Sequence, residues 1–131
     1  MEAPKFKPGQ IVWADLTTDS ADTLKEFYKA VAGWQEFPVA MRDDQGEYND
    51  YAMLVDADNA AGGICHNRGK NNNLPPQWIM YIYAEDVEER LKTSLDLGGR
   101  LIHESKRPDG TYNYVIIEDP AGAVFGIGNM Q

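Results

Sequence analysis

The side chains best suited to chemistry in this sequence are aromatic rings and polar groups in two segments that alternate like β-strands. Side chains alternate across a strand, so Trp13 and Asp15 share one face of the first segment, as Tyr81 and Tyr83 do in the second. A ring can stack on a flat ligand or hold a cation over its face, and a carboxylate adds charge. The residues predicted to bind a ligand in a cleft are Trp13, Asp15, Tyr51, His66, Trp78, Tyr81 and Tyr83. The alternative is that these rings fill the cleft as core.

No other pattern of reactive side chains stands out. The single Cys65 can form neither an intramolecular disulfide nor a zinc-ribbon spacing. The pair Gly62-Gly63 is expected to lack the strand, helix and lysine that a phosphate-binding loop needs, and no Gly-x-Ser-x-Gly elbow is present. Catalytic residues are therefore left unassigned by the sequence.

Charge and hydropathy exclude several classes of partner. The formal net charge of −9 opposes binding to a phosphate backbone, so no nucleic-acid partner is expected. No apolar run approaches the roughly 20 residues that a membrane-spanning helix needs, and no apolar run follows the first lysines. The lone cysteine fits a reducing compartment. We expect a cytoplasmic protein with no membrane partner.

The two halves of the chain repeat the same order of patterns about 65 residues apart. The first half has a predicted strand over 10–16 and a predicted helix over about 20–32, which Asp19 or Ser20 caps and Gly33 ends. The second half repeats a strand over 78–83 and a helix that Asp86 caps. The predicted apolar faces of the helices are Leu24, Phe27, Tyr28 and Val31 in the first, and Val87, Leu91 and Leu95 in the second.

Three short strand patterns separated by turns follow each predicted helix. They lie at about 34–40, 48–55 and 61–66, and at about 100–105, 111–118 and 123–128. Each half is thus a βαβββ unit. One such unit cannot bury its apolar sheet face alone, so two units are the minimum stable assembly. The sequence predicts one α+β domain, 1–131, in which two βαβββ modules form curved mixed sheets around a cleft, with the helices outside. Module one is placed at 8–67, a polar linker at 68–74 and module two at 75–131.

Four segments carry a resemblance to a known superfamily. They are Trp13–Leu16 running into Phe27-Tyr28, then Gly33-Trp34, then Pro75–Tyr81 with Asp86-Val87, and finally Asp119–Phe125. In this order they make the chain resemble the glyoxalases, bleomycin-resistance proteins and extradiol dioxygenases of the vicinal oxygen chelate superfamily, and most closely its glyoxalase-like members. The resemblance covers almost the whole chain and implies the same paired βαβββ modules.

The resemblance also implies where a metal would lie. Enzymes of that superfamily hold a divalent metal with His, Glu or Gln from the first and last strands of both modules. Carried over to this sequence, the positions are Trp13 or Val12, Ile79, Gly126 and one residue within 62–66. Only Cys65 and His66 in the last stretch are donors, too few to hold a divalent ion, so no metal cofactor is expected. The alternative is a substitute cluster of Asp15, His66 and His103 or Glu118.

These observations favour a binding protein, like the bleomycin-resistance proteins that it resembles. It would take a small aromatic or cationic molecule into the aromatic cleft without the usual metal site. One alternative is a lyase, isomerase or dioxygenase-type enzyme with an atypical divalent-metal site. Another is a subunit whose apolar surface serves assembly, most simply as a homodimer. The ligand, any reaction, and whether the modules pair within one chain or between two stay open at this point.

Overall fold

The computed structural model describes residues 6–129, and its elements follow the predicted order. The first half contains β1 (Ile11–Thr18), α1 (Ala21–Ala32), β2 (Gln35–Asp43), β3 (Gly46–Asp56) and β4 (Asn59–His66). A short 3-10 helix, Gly69–Asn71, lies in the predicted linker. The second half contains β5 (Trp78–Tyr83), α2 (Val87–Asp96), β6 (Arg100–Lys106), β7 (Tyr112–Glu118) and β8 (Val124–Gly128). The predicted α+β fold of two βαβββ repeats is confirmed.

The chain divides into two compact units. The α1 unit consists of Ala14–Trp78, and the α2 unit consists of the residues through Trp13 and those from Ile79 onward. Strands run in the order β2-β3-β4-β1 in the α1 unit and β5-β8-β7-β6 in the α2 unit. In each unit one parallel pair, β1–β4 or β5–β8, adjoins two antiparallel pairs. Each half therefore has the mixed strand directions that the repeat predicts.

Helix α1 packs on its strands through the start of the helix and one aromatic residue. Ala21 is fully buried in a cluster with Met53 and Ile64, and Tyr28 packs against that cluster. The helix ends where Gly33 takes a left-handed conformation with φ of 74°, and its N–H donates to the carbonyl of Lys29 at 3.1 Å. Gly33 thus ends the helix as predicted.

The predicted apolar face of α1 is wrong in part. Phe27 and Val31 are 54% and 68% exposed, although their spacing matched a buried helix stripe. The inward stripe instead runs through Ala21 and Tyr28, about 100° around the helix from Phe27. Lys29 beside it forms an ion pair with Glu36 of β2 at 2.8 Å, so charged contacts supply part of the attachment.

Helix α2 covers β7 and its neighbours. Val87 and Leu91 are buried with Val115 and Ile117 of β7. Met80 of β5 is 41% exposed, because α2 packs mainly on β7 with β6 and β8. Between residues 6 and 129, neither helix has the length and apolar character needed to cross a bilayer.

Candidate functional site

Four polar side chains lie along the face of the α1 unit that points away from α1. Ile64 packs under the helix, so the next residue, Cys65, points to the opposite face together with its register partner Thr17. We call this set the polar row: Asp15, Thr17, Asp50 and Cys65. Thr17 and Asp50 are only 2% and 5% exposed. Because burying a carboxylate is costly without partners, the contacts of Asp50 are central to this face.

Asp15 lies across a glycine of the neighbouring strand. Asp15 and Gly63 are register partners in the parallel pair β1–β4. A Cβ atom added at position 63 would collide with Oδ1 of Asp15. Only glycine therefore leaves room for this carboxylate in its present position.

Cys65 is a poor nucleophile in this setting. Burial raises the pKa of its thiol, and the carboxylates of Asp15 and Asp50 raise it further. A cysteine reacts through its thiolate, which this environment disfavours. The polar row therefore presents carboxylate and hydroxyl groups rather than a reactive sulfur.

His66 lies at the end of β4, with its ring between two carboxylates. Strand alternation places it on the same side as Ile64, toward α1. Its Nε2 lies 3.4 Å from Oδ2 of Asp22, in the first turn of α1, and its Nδ1 lies 3.4 Å from Oδ1 of Asp50. The backbone N–H of His66 also donates to Oδ1 of Asp50 at 2.8 Å. His66 thus connects α1 to the polar row.

Tyr51 links α1 to β3 from inside the core. Its hydroxyl donates to Oδ1 of Asp22 at 2.5 Å, and the Nζ of Lys25 lies 4.8 Å from the ring centre. Burial, and then the hydrogen bond to Asp22, raise the pKa of Tyr51 to about 12. The same hydrogen bond is the main cause that lowers the pKa of Asp22. Tyr51 therefore remains a neutral phenol through the physiological range.

Trp78 packs among the rings beneath α1. Its Nε1–H donates to the hydroxyl of Tyr28 at 2.9 Å, and the two rings meet edge to face at 5.2 Å. Trp34 completes the cluster, stacked on Tyr28 at 5.7 Å and edge-on to Trp78 at 5.7 Å. Such pairs add stability beyond burial alone, so the contacts of Trp78 are those of a packing residue.

An aromatic row lies on the face of the α2 unit that points away from α2. Val115 packs under the helix, so the adjacent Tyr114 points to the other face. Its ring centre lies 5.7 Å from that of Tyr81, edge to face, and 5.9 Å from that of His103. We call this set the aromatic row: Tyr81, His103 and Tyr114. Burial lowers the pKa of His103, which favours a neutral imidazole beside the phenols.

The remaining predicted residues are Trp13 and Tyr83. Trp13 is half-buried in β1 and belongs to the α2 unit. Tyr83 is 1% exposed, and its ring centre lies 5.9 Å from that of Phe6. The structure places Asp15 in the polar row and Tyr81 in the aromatic row. The predicted residues on the α1 side of their unit are Tyr51, His66 and Trp78. Their ligand-binding role stays a prediction.

Sequence reasoning missed Asp22, Asp50 and Tyr114. Asp22 occupies the first turn of a helix, where an acidic residue is ordinary, and nothing nearby in the sequence points to His66. Asp50 and Tyr114 precede buried core residues of β3 and β7, so alternation could have assigned their face. Their partners depend on strand register, which the sequence did not supply.

The residues do not fit the metal that the superfamily resemblance implies. In the described part of the chain, no three side chains of His, Cys, Asp or Glu lie together as a metal site. Of the substitute cluster, Asp15 and His66 belong to the α1 unit, and His103 and Glu118 belong to the α2 unit. Gly126, one of the positions carried over from the superfamily, faces the ring of Tyr81. No metal-dependent reaction is therefore assigned to these residues.

Two surface cavities lie outside the two rows. One, of about 450 Å³, lies in the α2 unit between the start of α2 and Arg107. Arg107 there donates to the carbonyls of Tyr112 and Asn129 at 2.6 and 3.0 Å. The other, of about 430 Å³, lies along the β2–β3 hairpin of the α1 unit. Neither cavity includes Asp15 or Tyr81 in its lining.

Comparison with known proteins identifies the relatives of this chain. The sequence pattern of the glyoxalase-like domain family matches residues 11–128. A protein named as a glyoxylase, CFP32 of Mycobacterium bovis and of Mycobacterium tuberculosis, is 26% identical over 126 residues in each species. The match covers 94% of this chain but 46% of the relative, so the chain spans about half the length of these curated relatives.

Solved structures share the fold at lower identity. A Streptomyces coelicolor methylmalonyl-CoA epimerase variant in complex with 2-nitronate-propionyl-CoA has a TM-score of 0.57 at 13% identity, over 92% of this chain and 94% of that one. A glyoxalase/bleomycin resistance protein/dioxygenase superfamily member from Vibrio splendidus has a TM-score of 0.53 at 15% identity, over 88% and 94%. These likenesses show the fold alone.

Proposed function

The chain belongs to the glyoxalase-like domain family, and from that premise we propose that it binds a small aromatic or cationic molecule without a metal cofactor. The observation that carries this proposal is the pair of strand positions Asp15–Gly63 and Tyr81–Gly126. The superfamily resemblance implies metal ligands in these strands. In this chain the carboxylate of Asp15 packs against Gly63 in one unit, and the ring of Tyr81 packs against Gly126 in the other.

Each row, taken within its own unit, suits one kind of ligand. The polar row supplies the carboxylates of Asp15 and Asp50, which attract a cationic group. The aromatic row supplies the edge-to-face pair Tyr81 and Tyr114, to which a flat ring or a cation can add. The fold itself is compatible with this use, since the Streptomyces epimerase of similar fold is in complex with 2-nitronate-propionyl-CoA.

Calorimetric titration with benzyltrimethylammonium, and with benzyl alcohol as its uncharged counterpart, tests the proposal. Asp15→Asn should weaken binding of the cation by about tenfold, the effect of losing ~1.4 kcal/mol of attraction, and should leave benzyl alcohol unaffected. Tyr81→Ala should weaken binding of both compounds at the aromatic row. Asp58→Asn, in the exposed turn between β3 and β4, is the matched control that should change neither. If neither Asp15→Asn nor Tyr81→Ala changed the binding of these compounds, the assignment would be refuted.

The metal-free part of the proposal has its own test. Elemental analysis of the purified protein should find less than stoichiometric zinc, nickel, manganese or iron. A stoichiometric metal that is lost in His66→Gln would instead support the alternative, an enzyme with an atypical metal site.

Two further expectations accompany this proposal. A cytoplasmic location is supported by the single cysteine, which fits a reducing compartment. A homodimer is supported by Phe27 and Val31, which are exposed and lie one turn apart on α1. Sedimentation of the protein and of Phe27→Glu tests the second expectation, since a dimer through this face should dissociate in the variant.

A further inference from the structure

Strand β2 presents a long, regular outer edge to solvent. It is the outermost strand of the α1 unit, and its inner edge pairs with β3. Nine residue pairs, from Gln35–Leu54 to Asp43–Gly46, follow one another without a register shift. Residues 37–40, in the middle of the strand, are all exposed. Within residues 6–129 no other strand pairs with this outer edge, which is the kind of surface that can accept a further strand.

Pro38 lies in the middle of that edge. The turn between β2 and β3 has two residues, so Asp43 and Gly46, which close it, form a hydrogen-bonded pair. Hydrogen-bonded and non-bonded pairs alternate along an antiparallel ladder, which makes Pro38 and Tyr51 a non-bonded pair. The backbone nitrogen of Pro38 therefore points outward, where a sheet tolerates proline. A strand added at this edge would find no N–H donor at position 38.

The corresponding strand of the second half is protected in another way. Strand β6 is the outermost strand of the α2 unit, and its pairing with β7 shifts register twice, after Leu101 and after Ser105. Its exposed residues are Arg100, Glu104 and Lys106, all charged. Register shifts and charges of this kind disfavour the addition of a strand. Residues 37–40 of β2 have neither feature, so the proline is what interrupts the middle of that edge.

The side chains of β2 suit pairing with a second copy of the same strand. Phe37 and Val39 are 58% and 39% exposed and lie on the same face of the strand. In an antiparallel pair of β2 strands centred on residue 38, Phe37 of each copy lies opposite Val39 of the other, and aromatic and β-branched residues in such pairs stabilise a sheet. Glu36 of each copy then lies diagonal to Arg42 of the other, with opposite charge. At the centre, two prolines meet where two backbone hydrogen bonds would otherwise form.

We propose that the outer edge of β2 is a pairing surface for a second copy of this chain, and that Pro38 keeps this surface closed. Pro38 lacks the N–H that the central pair needs, and its ring occupies the space of that hydrogen. The proposal is independent of the ligand and of the exposed α1 face with Phe27 and Val31, because it concerns the backbone of a different element. Its failure would leave the proposed function unchanged.

Sedimentation equilibrium of Pro38→Thr in a Phe27→Glu background tests this surface apart from the α1 face. Threonine supplies the N–H and favours a strand. The Phe27→Glu parent should sediment as one chain, and adding Pro38→Thr should strengthen self-association by about tenfold or more, because two central hydrogen bonds are restored. Amide hydrogen exchange in residues 36–40 should then slow as the protein concentration rises. Pro76→Thr, at an exposed proline before β5, is the matched control and should leave the mass unchanged.

Two further variants complete the test. Val39→Lys added to Pro38→Thr should restore the single chain, because it removes the apolar partner of Phe37. Pro38→Val should self-associate as Pro38→Thr does. A folded Pro38→Thr that stays a single chain would overturn the proposal, as would self-association that Val39→Lys leaves unchanged. Slowed exchange of the same amides in an associating parent would overturn it too, since the edge would then be open despite Pro38. Unfolding of both Pro38→Thr and Pro38→Val would also contradict it, because replacing a residue whose nitrogen points outward should leave the fold intact.

Discussion

The ring of Tyr81 occupies the space in which a side chain at position 126 would begin, so Tyr81 and Gly126 fit together only because residue 126 is a glycine. The two residues are register partners in the parallel pair β5–β8. Asp15 and Gly63 repeat this relationship in the pair β1–β4, with a carboxylate in place of the ring. The internal repeat of the sequence is thus also a repeat of side-chain packing.

Gly126→Ala should destabilise the protein by about 1–3 kcal/mol, the usual cost of overpacking a buried site. Gly63→Ala should cost less, because the atom that its Cβ meets is the end of a rotatable carboxylate rather than part of a buried ring. Urea denaturation measures both. In a Tyr81→Ala background the cost of Gly126→Ala should fall, as a double-mutant cycle would detect. Equal costs for the two glycines would contradict this account.

Tyr51 should ionise only at unusually high pH. Its pKa is raised to about 12 from an ordinary value of 10.0, first by burial and then by the hydrogen bond to Asp22. The folded state therefore favours the neutral phenol, and the stabilisation is complete below pH 10 and lost as pH rises toward 12. The difference in phenolate absorbance between wild type and Tyr51→Phe measures this pKa among the seven tyrosines.

Asp22→Asn tests the second cause of this shift. It replaces a charged acceptor by a neutral one, so the pKa of Tyr51 should fall part of the way toward 10.0, while burial keeps it raised. Asp19→Asn, three residues earlier and exposed, is the matched control. If Asp22→Asn left the pKa of Tyr51 unchanged, the hydrogen bond to Asp22 would contribute nothing to the shift.

The repeat of elements could be predicted because it depends on local patterns. Strand alternation and helix periodicity act within about ten residues, and Gly33 marks a helix end by its own conformational freedom. The family positions could be tested on the sequence as well, since Trp13, Ile79 and Gly126 lack the usual metal-ligating groups. These inferences needed no knowledge of which strands are neighbours.

The contacts of the site could not be predicted, because they depend on register between distant strands. Asp50 and His66 are 16 residues apart, and Tyr51 and Asp22 are 29 apart. Phe27 and Tyr28 are both aromatic and adjacent, and only the rotation of α1 decides which of them is covered. Rotation and register are set by the packing of the whole unit.

Arg68 should hold the segment after β4 against the β2–β3 hairpin. Its Nε and one terminal nitrogen donate to the carboxylate of Asp43 at 2.6 and 2.7 Å, and its guanidinium lies 4.1 Å from the ring centre of Tyr48. Arg68→Ala should therefore speed amide hydrogen exchange in Gly69–Asn71. Lys70→Ala, within the same segment, is the control and should not.

The same ion pair predicts an acid-sensitive contribution to stability. The hydrogen bond from Arg68 lowers the pKa of Asp43 to about 2 from an ordinary value of 3.8. A lowered carboxyl pKa stabilises the folded state above pH 3.8, and this stabilisation is lost as pH falls toward 2. Asp43→Asn should remove that part of the acid transition, which denaturation as a function of pH would reveal. If Asp43→Asn left the acid transition unchanged, the contribution assigned to the Arg68–Asp43 ion pair would be contradicted.

Neighbouring positions on α1 should respond differently to small changes, because only one of them faces the strands. Tyr28→Phe removes the acceptor of the Trp78 indole N–H and should cost about 1 kcal/mol, the usual net value of such a hydrogen bond. Phe27→Leu, at a position 54% exposed, should change the free energy of unfolding by less than about 0.5 kcal/mol. Tyr28→Phe should also change the tryptophan fluorescence, since Trp78 and Trp34 both contact that ring. Urea denaturation followed by fluorescence measures both quantities at once. If Phe27→Leu proved the more costly change, the rotation assigned to α1 would have to be revised.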